Sequence, residues 1–471
     1  MIRARAAALF IPALLLLPWI SQTAPAEPPS PPDWSALEAV ARAEISEIGA
    51  PGGAVAVVSG DRVIWSKGFG VANVETGEAF TPSHVFHVGS VTKMLTAAAL
   101  VNLAEQGKIR LDAPISSYAK GLDPAIGRLT LHQLLSQSSG MREIPIDETV
   151  HDEAALGEMA RSLRPEALLV EPGRAFSYSN PGYALAGYVL EQATGKPYAE
   201  AMKELVFDPL GMNRSTLRPT MAMTWPLVLG HAVPDGGKPA VVRPMADDTR
   251  IWPAGYAFAS TDDLSRFVIA LLNEGKVDGR QAIPAGVAAR MLAPHIPIPT
   301  NVFTNGRYGY GLILQDRGVL HIAEHGGQLT GYSSEIRMVP QARLAVITLA
   351  NRENLRLEKT FAKVFEMMLG ARPAAPARPK PALPIDETEM RRLAGSYDNR
   401  WKMDIFVRDG KLFLRRFGAE LPITKVGENR YSVEPEGVPQ PQEFLYLPAR
   451  DGGPGAIQMF IWVFRRVSPA G

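Results

Sequence analysis

A serine and a lysine three residues apart, Ser90-Val91-Thr92-Lys93, stand at the head of an apolar run from Met94 to Gln106. On a helix the two side chains share one face, a turn apart, and the amine can reach the hydroxyl. A hydroxyl is a poor nucleophile until a neighbouring base takes its proton. The free N–H groups of a helix start favour negative charge developing beside it. One tetrapeptide therefore offers a nucleophile, a base and part of an anion site. The spacing alone is weak, since about one chance Ser-x-x-Lys is expected in a chain this long. A second, Ser117-Tyr118-Ala119-Lys120, lies between the breakers Pro114 and Gly121 and reads as a polar loop or short helical turn.

Two further clusters carry chemistry. In Glu171-Pro172-Gly173-Arg174-Ala175-Phe176-Ser177-Tyr178-Ser179-Asn180, Tyr178 and Asn180 are two apart and project to one side of an extended or turned chain. A phenol beside a lysine ammonium has a depressed pKa and serves as base or proton shuttle. Asn180 can donate to a substrate carbonyl. The structural alternative is a packing tyrosine and a helix N-cap, and a second Tyr-x-Asn, Tyr397-Asp398-Asn399, shows that the pattern is common. Glu324-His325-Gly326-Gly327-Gln328 places two glycines beside a strand, where backbone approaches a ligand closely. N–H groups there would complete an oxyanion hole with the N–H of Ser90; the alternative is a strand-edge bulge with an exposed histidine. His321-Ile322-Ala323-Glu324-His325 also matches the inverted zinc-peptidase pattern H-x-x-E-H. That pattern needs a helix, whereas this run reads as strand, on which positions four apart are about 13 Å apart. No metal site is assigned.

The elements that must position these groups follow from periodicity. Trp34 to Ile48 reads as an amphipathic helix, Gly53 to Val58 and Val63 to Phe69 as a hairpin about Ser59-Gly60-Asp61. Helices and loops run from Leu111 to Met291. Strands resume at Gly309–Leu314 and Val319–Ala323, then at Tyr332–Met338 and Leu344–Leu349, and an amphipathic helix spans Leu357–Leu369. The expectation is an α+β fold: one antiparallel sheet built from both ends of residues 34–370, flanked by helices, with a separate helical lobe and a cleft between them. An Ala/Pro/basic linker, 371–384, leads to short β runs punctuated by turns, among them Met459–Phe464. Residues 385–471 are thus expected to form a C-terminal antiparallel β module, a sandwich or small barrel.

Composition bounds the function. The chain has 471 residues, 46% hydrophobic and 21% charged, with a net charge of +1. These are globular values and give no electrostatic case for nucleic acid. No interior apolar run is long enough to span a membrane. Arg3 and Arg5 precede the apolar run Ala6–Ile20 and Ala24-Pro25-Ala26, the pattern of a secretory signal, with cleavage expected after Ala26. The absence of cysteine excludes disulfides, thiolate chemistry and a lipidated cysteine. A bacterial periplasmic or secreted location is expected.

Ser90-Val91-Thr92-Lys93, Tyr178-Ser179-Asn180 and His325-Gly326-Gly327, in that order, resemble the serine β-lactamase and penicillin-binding-protein superfamily, specifically its class C-like branch, which also holds esterases and D-amino-acid peptidases. The flanks match as well: Phe86-His87-Val88-Gly89, Leu131 to Gly140, Asp208-Pro209-Leu210-Gly211-Met212 and Gly331-Tyr332-Ser333-Ser334. The similarity covers about residues 36 to 370. It implies that Ser90 attacks a carbonyl to form an acyl-enzyme, that Lys93 and Tyr178 manage its proton and the leaving group's, that Asn180 orients substrate, and that Gln328 supplies the second oxyanion N–H. No cofactor is implied. The C-terminal module is similar to the lipocalin-like domains of some relatives. One departure matters: lactamases and transpeptidases of this group usually carry Lys-Thr-Gly where this chain has His-Gly-Gly, and a histidine is largely neutral at pH 7. An ester or short D-amino-acid peptide is therefore expected over a β-lactam or a D-Ala-D-Ala carboxypeptidase substrate. The rival of another class is a non-catalytic penicillin- or peptidoglycan-binding protein. The oligomeric state is left open.

Overall fold

The strand Gly52–Ser59 is buried on both faces: Ala54, Ala56 and Val58 face one apolar core, Val55 and Val57 the other. Such a strand must be covered on both faces, because successive side chains point to opposite sides. The computed structural model describes residues 32–146, 149–234, 237–370, 380–438, 440–450 and 454–469. The expected signal segment, 1–26, and most of the expected linker lie outside the described residues.

Nine antiparallel strands form the main sheet, in the order Ile296–Pro297, Arg307–Tyr308, Ile313–Arg317, Leu320–Leu329, Tyr332–Val339, Leu344–Ala350, Gly52–Ser59, Arg62–Asn73, Glu78–Ala79. The two ends of the region meet at its centre, where Val55 pairs with Thr348 and Val57 with Val346. Helices Trp34–Glu47 and Glu358–Leu369 cover one face, through Leu37, Ala41, Ile45, Phe361 and Val364. The larger core lies on the other face, under the helical lobe, and includes Leu95, Ala98, Val101 and Leu185. The α+β architecture and the sheet built from both termini are thus as expected, with a few short two-stranded ribbons set among the helices.

Two strand expectations are corrected. Gly309–Leu314 is not a strand: Arg307–Tyr308 and Ile313–Arg317 flank a turn whose Gly311 has φ +72 and packs on the backbone of Lys93. A Cβ there would stand 2.7 Å from the Lys93 carbonyl oxygen, so only glycine permits the approach. Met459–Phe464 is likewise not one strand but the end of Ala456–Met459, a turn at Phe460-Ile461, and the start of Trp462–Pro469. Apolar residues run straight through that turn, so hydropathy hides it; Phe460 takes φ +55 to make it.

The C-terminal sheet also has nine strands, all antiparallel to their neighbours. Its edge strands, Ala419–Pro422 and Thr424–Gly427, are consecutive in the chain with only Ile423 between them. The sheet therefore curls almost to closure, as a small barrel around Tyr397, Ile405, Leu414, Phe444 and Phe464.

Candidate active site

Ser90 sits in a 3-10 turn, Gly89–Val91, that runs directly into the helix Thr92–Glu105. Twelve consecutive residues of that helix, Thr92 to Leu103, are buried, so its register is locked by packing on all sides. Lys93 is wholly buried, and its amine is held by three acceptors: Ser90 Oγ at 3.2 Å, Asn180 Oδ1 at 2.6 Å and the Ala254 carbonyl at 2.6 Å. An ammonium has three donors, and here each has a partner. Burial pushes this amine down to about 7, against the opposing pull of the Glu143 carboxylate. A fraction is then neutral near pH 7, the state that a general base requires.

Asn180 opens the helix Asn180–Thr194, capped by Ser179, whose hydroxyl accepts from the Gly182 N–H at 3.1 Å. The cap is therefore Ser179 and not Asn180, which leaves the Asn180 amide to bridge Lys93 and Glu143. The preceding loop is pinned by Gln137, whose backbone carbonyl takes the Ser177 N–H at 2.8 Å and whose side-chain oxygen takes the Ser179 N–H at 2.8 Å.

Tyr178 lies between these segments, its side chain beside that of Ser90. The expectation of a depressed pKa does not hold. Burial of the hydroxyl raises it well above the ordinary tyrosine value, and the neighbouring Tyr308 adds to this. Lys93 lies 4.6 Å from the centre of the Tyr178 ring, a cation–π position over the face rather than a contact with the oxygen. At neutral pH Tyr178 is therefore a neutral phenol, not a phenolate.

The strand Leu320–Leu329 forms the facing wall. Ser334 Oγ donates to the Val88 carbonyl at 2.6 Å and ties this sheet edge to the turn carrying Ser90. A Cβ at Gly327 would stand 2.0 Å from Val88 O and 3.0 Å from Ser90 N; one at Gly89 would stand 2.6 Å from Gln328 N. Glycine at both places brings the backbone nitrogens of Ser90 and Gln328 to the same spot, the layout of a two-donor oxyanion site. The Gln328 side chain is turned away, its oxygen accepting from Ser333 Oγ and from the Asn354 N–H. Gly326 extends the strand, and its carbonyl lies 2.7 Å from His325 Nδ1. His325 is buried rather than exposed, with Nε2 3.2 Å from the Tyr308 hydroxyl. Burial and the nearby Lys93 push its pKa down to about 3, so it is a neutral imidazole throughout the neutral range. His321 stays exposed and pairs with Asp316 at 2.7 Å, so the two histidines of the H-x-x-E-H run do not converge.

The structure thus brings Ser90, Lys93, Tyr178, Asn180 and the Gly326-Gly327-Gln328 edge together. The second Ser-x-x-Lys is elsewhere: Ser117 ends a 3-10 turn and the Tyr118 hydroxyl accepts from the Arg110 N–H. Two features of the site have no motif in the sequence. The Ala254 carbonyl is a main-chain atom of the short helix Trp252–Gly255 and carries no residue-type signal. Glu143 is a lone buried carboxylate three residues after Gly140, in a stretch with no pattern.

A family model, Beta-lactamase, matches residues 37–366. A D-aminopeptidase of Gluconobacter oxydans (strain 621H) is 30% identical over 329 residues, a match covering 67% of this chain and 58% of that protein. The chain thus spans less than two thirds of the length of that relative. Among solved structures, SurE superposes with a TM-score of 0.77 at 25% identity, covering 92% of this chain and 98% of that one. A D-stereospecific amidohydrolase from Streptomyces sp. shares the fold with a TM-score of 0.57 at 23% identity, over 72% of this chain and all of that one (100%).

Proposed function

The chain belongs to the Beta-lactamase family, and from that premise we propose that it is a serine hydrolase that forms an acyl-enzyme at Ser90 and acts on a short-chain ester or a D-amino-acid amide or peptide. The observation that carries this reading is the Lys93 amine 3.2 Å from Ser90 Oγ, with its proton affinity lowered by burial.

The steps follow from the geometry. Neutral Lys93 takes the Ser90 proton as Oγ bonds to the substrate carbonyl carbon. The carbonyl oxygen becomes an oxyanion facing the Ser90 and Gln328 N–H groups. The ammonium returns the proton to the leaving nitrogen or oxygen as its bond to carbon breaks, and the Tyr178 phenol steadies that leaving atom with a hydrogen bond. Water then attacks the ester, giving the acid and regenerating Ser90. Asn180 orients the acyl portion. The His325 position offers a neutral ring, so a substrate carboxylate gains no ion pair there. This favours esters and amides without a carboxylate beside the scissile bond. The D-aminopeptidase and D-stereospecific amidohydrolase named above support the D-configured side of the proposal. Arg3, Arg5 and the apolar run after them support export to the periplasm or beyond.

The test is a substrate panel of nitrophenyl esters, D-alanyl peptides and a chromogenic cephalosporin, with fluorophosphonate labelling. Ser90→Ala is expected to abolish labelling and lower kcat by up to about a millionfold. Full turnover by that variant ends the proposal. A stable penicillin adduct with no turnover of any substrate supports a binding protein instead.

A further inference from the structure

Tyr397-Asp398-Asn399 looks like a chance repeat of the Tyr-x-Asn pattern, yet it docks against the back of the active site. Asn399 is buried, 2% exposed, and its side-chain oxygen accepts the Glu143 backbone N–H at 2.8 Å. Its amide nitrogen donates to the Val463 carbonyl at 2.8 Å, which fixes the direction of the group. Asp398 pairs with Arg142 at 2.7 Å, and the Asn399 carbonyl accepts from the same guanidinium at 2.8 Å. The barrel therefore grips Arg142 and Glu143 from outside the catalytic region.

Glu143 in turn faces the machinery. Its Oε2 accepts from the Asn180 side-chain nitrogen at 3.1 Å and the Asn180 backbone N–H at 3.3 Å, while Oε1 accepts from the Ile144 N–H at 3.2 Å. Burial raises the Glu143 carboxyl to about 7, against the opposing pull of Lys93; once ionised it can only accept, so it selects the NH2 end of the amide and turns Asn180 Oδ1 toward Lys93. We propose that Glu143, seated by Asn399 of the C-terminal barrel, is a positioning residue for the reaction: it sets the direction of the Asn180 amide and supplies the counter-charge to the Lys93 amine. This rests on the acyl-enzyme reading of Ser90.

The role follows from proton balance. As an ammonium, Lys93 donates to Ser90 Oγ, Asn180 Oδ1 and Ala254 O. As the base it keeps two N–H bonds, to Asn180 and Ala254, and turns its lone pair to Ser90. When it takes the serine proton, positive charge appears in a buried site, and the Glu143 carboxylate offsets it. The other groups facing the pair are the Tyr178 and Tyr183 rings and His325 around Lys93, and Arg400 beside Glu143; Arg142 is occupied by Asp398.

The experiment compares the full-length wild type, Glu143→Gln and Asn399→Ala by kcat and KM on a nitrophenyl ester from pH 5 to 9, with fluorophosphonate labelling. Without the carboxylate the opposing charge that favours the ammonium is gone, so Lys93 loses its proton more readily and the acid limb of kcat/KM in E143Q moves to lower pH, by about one pH unit. Its kcat falls about tenfold as the Asn180 amide loses its charged partner, with KM within about twofold. N399A lowers kcat severalfold and leaves the limb in place, because no charge is removed. An E143Q acid limb superimposed on that of the wild type, with kcat within twofold, overturns the proposal, as does an N399A of wild-type kcat for the part assigned to the barrel. If E143Q lacks a cooperative melt, Glu143→Asp replaces it: charge is kept and reach shortened, so kcat falls while the limb stays, and unchanged kcat overturns the proposal. A wild type that neither labels nor turns over sinks the acyl-enzyme reading itself; an active wild type with indifferent variants sinks only the role of Glu143.

Discussion

His87 shows how burial decides protonation one residue at a time. It lies four residues past Ser83 in a run that gives no hint of its surroundings, yet its ring is buried and stacks on Phe258 at 4.1 Å. Burial pushes its pKa down to about 3, as it does that of His325. Both rings are neutral in the folded chain, while the unfolded chain binds a proton at each below about pH 6.5. Their contribution to stability is thus complete above pH 6.5 and is lost as pH falls from there toward 3. At pH 5 the loss is about 2 kcal/mol for each ring. His87→Phe keeps an aromatic ring on Phe258 and removes one titration. Denaturant melts at pH 7 and pH 5 should show the pH-dependent loss shrink by about that amount in the variant. An equal loss in both proteins would show that His87 does not stay neutral. The same effect of burial acts in opposite senses on the two groups proposed to assist Ser90: it lowers the amine of Lys93 and raises the phenol of Tyr178.

At the scale of elements, the sheet edge that carries Gly326-Gly327-Gln328 is held in place by a buried charge cluster. Arg337, on Tyr332–Val339, is fully buried and ion-pairs with Glu324 on the neighbouring strand at 3.1 Å, with Glu335 at 2.7 Å, and with Glu358 on the helix that closes the region. Its guanidinium also lies 4.1 Å from the centre of the Phe361 ring. Gln315, on the strand Ile313–Arg317 beyond Leu320–Leu329, donates to Glu324 at 2.6 Å, so two strands and a helix meet on one cation and a third strand is tied in through Glu324. Breaking such a cluster from one side leaves buried carboxylates without a counter-charge, at a cost of about 3–5 kcal/mol. Arg337→Ala should lower the urea midpoint correspondingly and leave the denaturant slope unchanged. A loss below about 1 kcal/mol would mean that the cluster contributes no more than an exposed pair.

At the scale of the whole molecule, the barrel is part of the wall of the candidate active site. The Ile461 carbonyl accepts the Tyr178 N–H at 2.7 Å, and the Phe460 carbonyl accepts from Thr300 Oγ1 at 2.8 Å. Ile461 also packs with Tyr178 against the cluster of Phe176, Ile298 and Tyr308. Gln458 donates to the Phe176 carbonyl at 2.9 Å, and the Val463 N–H donates to Ser177 Oγ at 3.2 Å. Leu169, Val170 and Ala175 of the catalytic region share a core with Ala456 and Val463 of the barrel. Buried polar bonds and a shared apolar core couple the two parts, so neither opens without exposing the other. Calorimetry should therefore record one cooperative unfolding transition for the full chain, with the barrel and the catalytic region melting together. Two separated transitions would show that the docking surface is weak.

Much of this was legible in the order of residues. Helical spacing fixes Ser90 and Lys93 on one face, since a three-residue step is set by covalent geometry alone. Short continuous apolar runs at Gly52–Ser59 and Leu344–Ala350 mark buried central strands, and the apolar run from Tyr183 marks a helix, although its cap is Ser179 and not the Asn180 that the sequence offers. Tertiary structure alone decided the rest. The turn at Phe460-Ile461 is invisible to hydropathy, because its residues are apolar on account of the catalytic region they touch. Glu143, the Ala254 carbonyl and Asn399 join the site from segments 50 to 306 positions away from Lys93 along the chain. Whether Tyr178 holds or releases its proton depends on how far water is excluded from its hydroxyl. Spacing records what neighbours in the chain can reach; enclosure and long-range contact exist only once distant segments have packed, and those are the quantities that set charge.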